Sequence, residues 1–62
     1  MKIKVFHITT KGFIYFNNKK EYIRFVSDIT HRAINENTTI RNLARMLPKE
    51  EYCTIFKGGL TI

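Results

Sequence analysis

The stretch KIKVFHITTKGFIYF, residues 2–16, decides how this chain folds. Its two parts, Lys2–Thr10 and Phe13–Phe16, are rich in β-branched and aromatic residues, which favour strands. Between them Thr10-Lys11-Gly12 has the composition of a tight turn, in which Gly12 takes the positive φ that other residues resist. The stretch therefore predicts a β-hairpin.

The length of the turn determines which side chains share a face of this hairpin. A three-residue loop places Thr9 opposite Phe13 and gathers four apolar residues on one face: Phe6, Ile8, Ile14 and Phe16. A two-residue loop would scatter them over both faces, so burial of one face favours the longer loop with a glycine bulge. The opposite, outer face then carries Ile3, Val5, His7, Thr9, Phe13 and Tyr15.

A long helix is predicted directly after the hairpin. Asn18, followed by Glu21 three residues later, forms a capping-box pattern with Asn in place of Ser or Thr. Apolar residues then recur at helical spacing from Tyr22 to Ala33. We expect a helix from about Lys19 to Asn35.

A second, shorter helix is indicated by four apolar residues, Ile40, Leu43, Ala44 and Leu47. It begins after Thr38 or Thr39, either of which can cap it. It ends before Pro48, because the residue preceding a proline is disfavoured in the helical region.

The C-terminal segment has two interpretations. Tyr52–Phe56 has the aromatic and β-branched content of a strand. Alternatively, Pro48 opens another helix, with Glu50 and Glu51 in its first turn and Lys57-Gly58 at its end. We favour the strand, because a hairpin alone is marginally stable and needs a third strand.

These elements predict a single domain, residues 1–62, of the α+β class in the order ββααβ. The N-terminal hairpin and the C-terminal strand form a small antiparallel sheet, packed against one long and one short helix. A chain of 62 residues with 44% hydrophobic residues can build one thin core and is too apolar for a disordered tail.

The composition also limits the class of protein. Cys53 is the only cysteine, which rules out an intramolecular disulfide and a thiolate zinc site and fits a reducing, cytoplasmic compartment. No apolar stretch approaches the roughly 20 residues of a membrane span, and no signal-peptide pattern opens the chain. Residues with AT-rich codons, chiefly Ile, Lys and Asn, are abundant, which suggests an AT-rich bacterial genome or a phage or other mobile element in such a host.

Residues 11–16, KGFIYF, resemble the start of the RNP1 motif of RNA-recognition modules, whose aromatic side chains stack on unpaired bases. Ile14 stands where that motif has Gly or Ala, and Asn18 stands where it has an aromatic residue. A hairpin turn followed by a core strand accounts for the same residues.

Residues 39–47 offer a second resemblance. Leu43-Ala44 followed by Leu47 is similar to the first helix of a helix-turn-helix, although Pro48 replaces the turn glycine. A plain amphipathic helix explains the same pattern, and the DNA-binding interpretation requires the C-terminal segment to be helical.

Catalysis has little support in the sequence. His7 and His31 are candidate acid and base groups, with Lys11 or Arg32 to stabilise charge, but no spacing fixes their geometry. No nucleophile elbow, phosphate loop or metal-ligand cluster accompanies them. We expect a protein that is not an enzyme, with no catalytic residue, metal or cofactor.

The outer hairpin face is the strongest candidate site, because exposed apolar patches mark interaction surfaces. We expect a small regulator or inhibitor, phage- or mobile-element-encoded, that docks on an acidic surface of a host or self-encoded protein. Its predicted contact residues are His7, Phe13 and Tyr15, with Lys11, Arg41 and Arg45 as electrostatic helpers. A homodimer packed sheet on sheet is an open alternative use of the same face.

Nucleic-acid binding is the alternative function. The net charge of +6 favours any anionic partner, and the positive residues are dispersed along the chain. Lys20, Arg24 and Arg32 would then contact phosphates, and Phe13 or Tyr15 would stack on bases.

Overall fold

A computed structural model describes residues 3–56 of the protein, with side-chain environments through Thr54. It contains two strands, two helices and a third strand in chain order. Their bounds are β1 Ile3–His7, β2 Gly12–Phe16, α1 Lys19–Thr30, α2 Ile40–Met46 and β3 Tyr52–Phe56. The predicted α+β class and the ββααβ order are confirmed.

The three strands form one antiparallel sheet in the order β2-β1-β3, so that β1 is the central strand. The strand interpretation of Tyr52–Phe56 is therefore correct. The helical alternative for this segment is wrong, and the helix-turn-helix resemblance that depended on it falls with it. Lys57 and Gly58 of that alternative, and Lys2 of the first predicted segment, lie outside the described residues.

The predicted hairpin register is wrong. Val5 pairs with Ile14 and His7 pairs with Gly12, so the turn runs from Ile8 to Lys11 instead of Thr10 to Gly12. The left-handed residue is Lys11, with φ 57°, and not Gly12. This register differs from the predicted one by an odd number of residues, and such a slip exchanges the two faces of one strand relative to the other.

The side chains of β1 therefore lie on the faces opposite to those predicted, whereas the side chains of β2 lie on the predicted faces. Ile3 and Val5 are fully buried, whereas Phe6 is half-buried on the other face and Ile8 is 41% exposed in the turn. The physical reason is visible in the alternation Ile3-Lys4-Val5, because successive side chains of a strand point to opposite faces. Burying Ile3 and Val5 keeps Lys4 out of the core.

The core lies between the sheet and the two helices, which both cover one face of the sheet. It consists of Ile3, Val5, Phe16, Tyr22, Ile23, Val26, Leu43 and Leu47. The hydroxyl groups of Tyr22 and Thr54 are hydrogen-bonded 3.1 Å apart within it. This bond ties α1 to β3, the element most distant in sequence, and satisfies the buried polar groups of both residues.

Helix α1 begins as predicted and ends earlier. The Asn18 side chain accepts a hydrogen bond from the Glu21 backbone N–H at 2.9 Å, as an N-cap should. The expected end at Asn35 is wrong, because His31 adopts a left-handed conformation with φ 55° and closes the helix. The Ser27 hydroxyl also donates to the Arg32 carbonyl, which binds the chain after the helix to its last turn.

Helix α2 begins after Thr39, whose side chain accepts from the Asn42 backbone N–H at 3.2 Å. It ends at Leu47, which has an extended backbone with ψ 144°, as expected for the residue before Pro48. Neither α1 nor α2 has the length and apolar character that crossing a bilayer requires.

Candidate binding surfaces

The face of the sheet opposite the helices carries an aromatic cluster, which we call the aromatic face: Lys4, Phe6, Phe13 and Tyr15. The register aligns Phe6 with Phe13 and Lys4 with Tyr15 across β1 and β2. Phe13 and Tyr15 are 45% and 66% exposed. The ring centroids of Phe6 and Phe13 are 5.0 Å apart, and those of Phe13 and Tyr15 are 6.2 Å apart, so the rings form one continuous surface.

Lys4 places a positive charge in this cluster. Its Nζ atom lies 4.1 Å from the Phe13 ring centroid and 5.7 Å from that of Tyr15. Both distances are within the range at which the negative face of an aromatic ring attracts a cation. The aromatic face therefore combines apolar contact area with a cation whose position is set by the rings beneath it.

Sequence reasoning missed Lys4 and assigned Phe6 to the core. Both errors follow from the wrong register of β1, since a correct register places Lys4 and Phe6 beside Tyr15 and Phe13. The signal that could have found them is the alternation of lysine and apolar residues at positions 2–5, which has the period of a strand with one solvent-facing side.

His7 does not belong to the aromatic face. It lies on the helix-covered side of β1, where its ring stacks on Tyr52 with centroids 4.7 Å apart and planes 17° from parallel. Its Nδ1 atom is 2.7 Å from the Thr10 hydroxyl oxygen. The expectation that His7 joins Phe13 and Tyr15 in one contact surface is therefore wrong, because it depended on the shifted register.

The predicted electrostatic helpers lie in two other places. Lys11 is exposed at the hairpin turn. Arg41 and Arg45 are exposed on α2, which packs through Leu43 against the covered side of the sheet. The structure therefore does not bring the two arginines together with Phe13 and Tyr15.

A groove of about 520 Å³ separates α2 from β3. Arg45 and Lys49 line it together with Ile8 and Tyr52. The charged groups among its lining residues are both positive.

A second groove, of about 440 Å³, runs beside α1. Lys20 and Arg24 line it together, as helical neighbours four residues apart, and Lys19 joins them. Glu36 contributes one negative charge to the same groove. Arg32, the third predicted phosphate contact, is exposed beyond the end of α1 and does not line this groove.

The hydroxyl of Tyr22 lies within the core. Burial of its hydroxyl raises the pKa above the ordinary value, and the hydrogen bond to Thr54 offsets part of that rise. Because Tyr22 is fully buried in the core, this shift concerns stability and marks no site. Among residues 3–56, no three His, Cys, Asp or Glu side chains are grouped closely enough to hold a metal ion.

Comparison with known proteins adds no relative. No protein-family model, no curated protein and no solved structure matches this chain.

Proposed function

We propose that this protein is a small non-enzymatic regulator or inhibitor that docks on an acidic surface of a partner protein through its aromatic face. The observation that carries the proposal is the exposure of Phe13 and Tyr15 on the side of the sheet away from both helices. Aromatic side chains dominate the energetics of many interfaces, because they bury a large area with little loss of conformational freedom. The AT-rich composition favours a phage- or mobile-element-encoded protein that acts on a host protein.

Lys4 is the reason for specifying an acidic partner. A partner seated on Phe13 and Tyr15 would also cover the Lys4 ammonium group, which lies over both rings. Covering a charge without a counter-charge is costly, whereas a carboxylate opposite Lys4 would restore a charged hydrogen bond. The net charge of +6 adds a long-range attraction that raises the association rate.

The same charge argues against a homodimer packed face to face. A symmetric pair that buried both aromatic faces would bring two Lys4 ammonium groups onto one small surface, away from water. The four residues of the aromatic face, Lys4, Phe6, Phe13 and Tyr15, include no carboxylate that could offset these two charges. A second, different protein is therefore the better occupant.

Comparative affinity capture tests this function. Three baits are used side by side: the wild type, the double variant Phe13→Ala/Tyr15→Ala, and Met46→Ala. Met46 is a matched control, because it is also an exposed apolar residue, at 36%, but lies on α2. We expect a host protein that the wild type and Met46→Ala retain and that the double variant loses.

A second comparison identifies the charge requirement. Lys4→Met keeps the apolar stem and removes the ammonium group, so it should weaken capture of the same protein and reduce its sensitivity to salt. Equal capture of that protein by all four baits would contradict docking through the aromatic face.

Single-stranded nucleic acid is a second candidate occupant of the same face. Phe13 and Tyr15 are two residues apart on one strand and present their rings on the same side, where they could stack on bases. The Lys4 ammonium group above the rings could contact a phosphate. The Lys19, Lys20 and Arg24 groove offers a further phosphate-binding surface.

Fluorescence anisotropy with short single- and double-stranded DNA and RNA separates the two candidates. A protein that neutralises about six phosphates should lose affinity on the order of a thousandfold between about 50 and 200 mM salt. Submicromolar binding whose affinity falls steeply with salt, and which Tyr15→Ala weakens, would favour nucleic acid over an acidic protein as the partner. Weak binding to every probe would leave protein docking as the supported function.

A further inference from the structure

The two edges of the sheet differ in how their backbone groups are protected. Strands β2 and β3 are the edges, because β1 lies between them. An edge strand presents a row of unpaired N–H and C=O groups, and soluble proteins normally block such a row with charged residues, proline or a covering element.

The edge at β3 is blocked in its described part. Thr54 is only 3% exposed, and the Tyr52 backbone N–H donates to the Pro48 carbonyl at 2.9 Å. Arg45 and Lys49 stand along the groove beside this strand. An incoming strand would have to displace these groups.

Strand β2 itself lacks the residues that protect an edge strand. Gly12–Phe16 has the sequence GFIYF, which contains no charged residue and no proline. Its aromatic and β-branched residues have high strand propensity. Phe13 and Tyr15 are the most exposed residues of the strand.

The hydrogen-bond pattern shows which backbone groups of β2 are directed outward. The Ile8 backbone N–H donates to the Glu51 carbonyl at 2.7 Å, so the even-numbered residues of β1 bond to β3. The odd-numbered residues of β1 consequently bond to β2, which pairs Val5 with Ile14. The N–H and C=O groups of Phe13 and Tyr15 therefore point away from β1, toward the outer edge of the sheet formed by the described residues.

We propose that two copies of this protein associate edge to edge through β2, which joins their sheets into one continuous sheet. The strands run antiparallel, with Phe13 of each copy opposite Tyr15 of the other, so the outward N–H and C=O groups of both residues find partners. Each such pair is also an aromatic cross-strand contact, which adds to the stability of the pairing.

Charge is compatible with this arrangement, in contrast to face-to-face packing. In the same register Lys11 of one copy lies opposite Asn17 of the other, so no like charges meet along the edge. The two Lys4 side chains remain separated on β1 of their own copies. The aromatic faces stay open and lie side by side, so the dimer can still bind a partner protein there.

Two variants at one position test the backbone pairing. Tyr15→Pro and Tyr15→Ala both remove the ring, but only proline also removes the outward N–H. Proline is tolerated at an edge position whose N–H does not bond within the sheet. Sedimentation equilibrium should show a dimer dissociation constant for Tyr15→Pro that is roughly tenfold or more above that of Tyr15→Ala, because each dimer loses two backbone hydrogen bonds.

Amide hydrogen exchange of the wild type tests the same pairing without a substitution. At a concentration where the dimer predominates, the amides of Phe13 and Tyr15 should be protected, and dilution should remove that protection. The amides of Ile14 and Phe16 should stay protected at both concentrations, because they bond to β1.

Three results would overturn the edge-paired dimer. These are a wild type that is monomeric at every concentration, equal dimer affinity for a folded Tyr15→Pro and Tyr15→Ala, and rapid exchange of Phe13 and Tyr15 amides in a dimer. If Tyr15→Pro does not fold, the exchange measurement decides. A monomer that still captures a protein through the aromatic face would overturn the dimer and leave the proposed function standing.

Discussion

The two faces of this sheet are built from similar residues but differ in how far those residues are exposed. On the covered face, Ile3, Val5 and Phe16 are buried against both helices. On the aromatic face, Phe13 and Tyr15 remain largely exposed, although they occupy the same strand as Phe16. In so small a domain, apolar area that stays outside the core contributes little to stability, and its presence needs another explanation.

Residue type alone therefore does not distinguish core from surface positions in a domain this small. What distinguishes them is whether a residue shares a face with Lys4, because a lysine on the central strand cannot enter the core without losing its solvation. Both helices therefore pack on the opposite face, and neither helix covers the face that carries Lys4.

The largest expected effect is the loss of unfolding free energy when a core side chain on the covered face of the sheet is truncated. Leu43 is fully buried on α2, and Leu43→Ala should lower the free energy of unfolding by about 2–5 kcal/mol. A domain of 62 residues has a total stability of about 3–9 kcal/mol, so this variant should approach unfolding. Urea unfolding followed by far-UV circular dichroism measures the loss. A loss below about 1 kcal/mol would contradict the placement of Leu43 in the core.

The next effect concerns the buried hydroxyl pair. Tyr22→Phe should cost about 1–3 kcal/mol of unfolding free energy, because it leaves the Thr54 hydroxyl buried without its partner. The double variant Tyr22→Phe/Thr54→Val removes both polar groups and should recover most of that loss, as the same urea titrations would show. A double variant that is less stable than Tyr22→Phe would indicate that the hydroxyl pair is not an isolated unit.

A smaller effect is expected at the start of α1. Asn18→Ala removes the cap of the Glu21 N–H and should cost about 1 kcal/mol. Asn17→Ala is the matched control, because Asn17 is an exposed neighbour in the same connection and should change stability by no more than about 0.5 kcal/mol. Thermal unfolding of the two variants in parallel provides the comparison, and equal losses would argue against capping by Asn18.

Tyr22 should make the free energy of unfolding depend on pH in alkaline solution. Because burial raises its pKa in the folded state, the unfolded chain ionises first, near the ordinary value of 10.0. The contribution of Tyr22 is therefore fully present below that pH and is lost as the pH rises toward the folded-state pKa. Urea unfolding across this range should show a steeper decline for the wild type than for Tyr22→Phe. Parallel declines would contradict the shift.

The elements of the fold were predictable because their signals are local. Asn18 with Glu21 defined the start of α1, and Pro48 defined the end of α2. The end of α1 was not predictable in the same way, since it depends on the left-handed His31 and on the Ser27 hydroxyl binding the Arg32 carbonyl. Neither feature is visible as a periodic pattern.

The candidate site was predictable only in part, because it depends on strand register. Phe13 and Tyr15 were assigned correctly to the outer face, since Ile14 and Phe16 must alternate with them. His7 and Phe6 were assigned to the wrong faces. The turn begins at Ile8 and has one residue more than predicted, and one additional residue in a turn exchanges the two faces of the adjoining strand. Register of this kind is fixed by the whole core, including residues on helices far along the chain.

Urea unfolding of Phe13→Ala/Tyr15→Ala beside the wild type shows most directly whether the aromatic face lies outside the core. If the aromatic face serves binding and contributes little to folding, the double variant should lose about 1 kcal/mol or less, the scale of an exposed cross-strand aromatic pair. A loss of unfolding free energy comparable with that of Leu43→Ala would show instead that Phe13 and Tyr15 are part of the core.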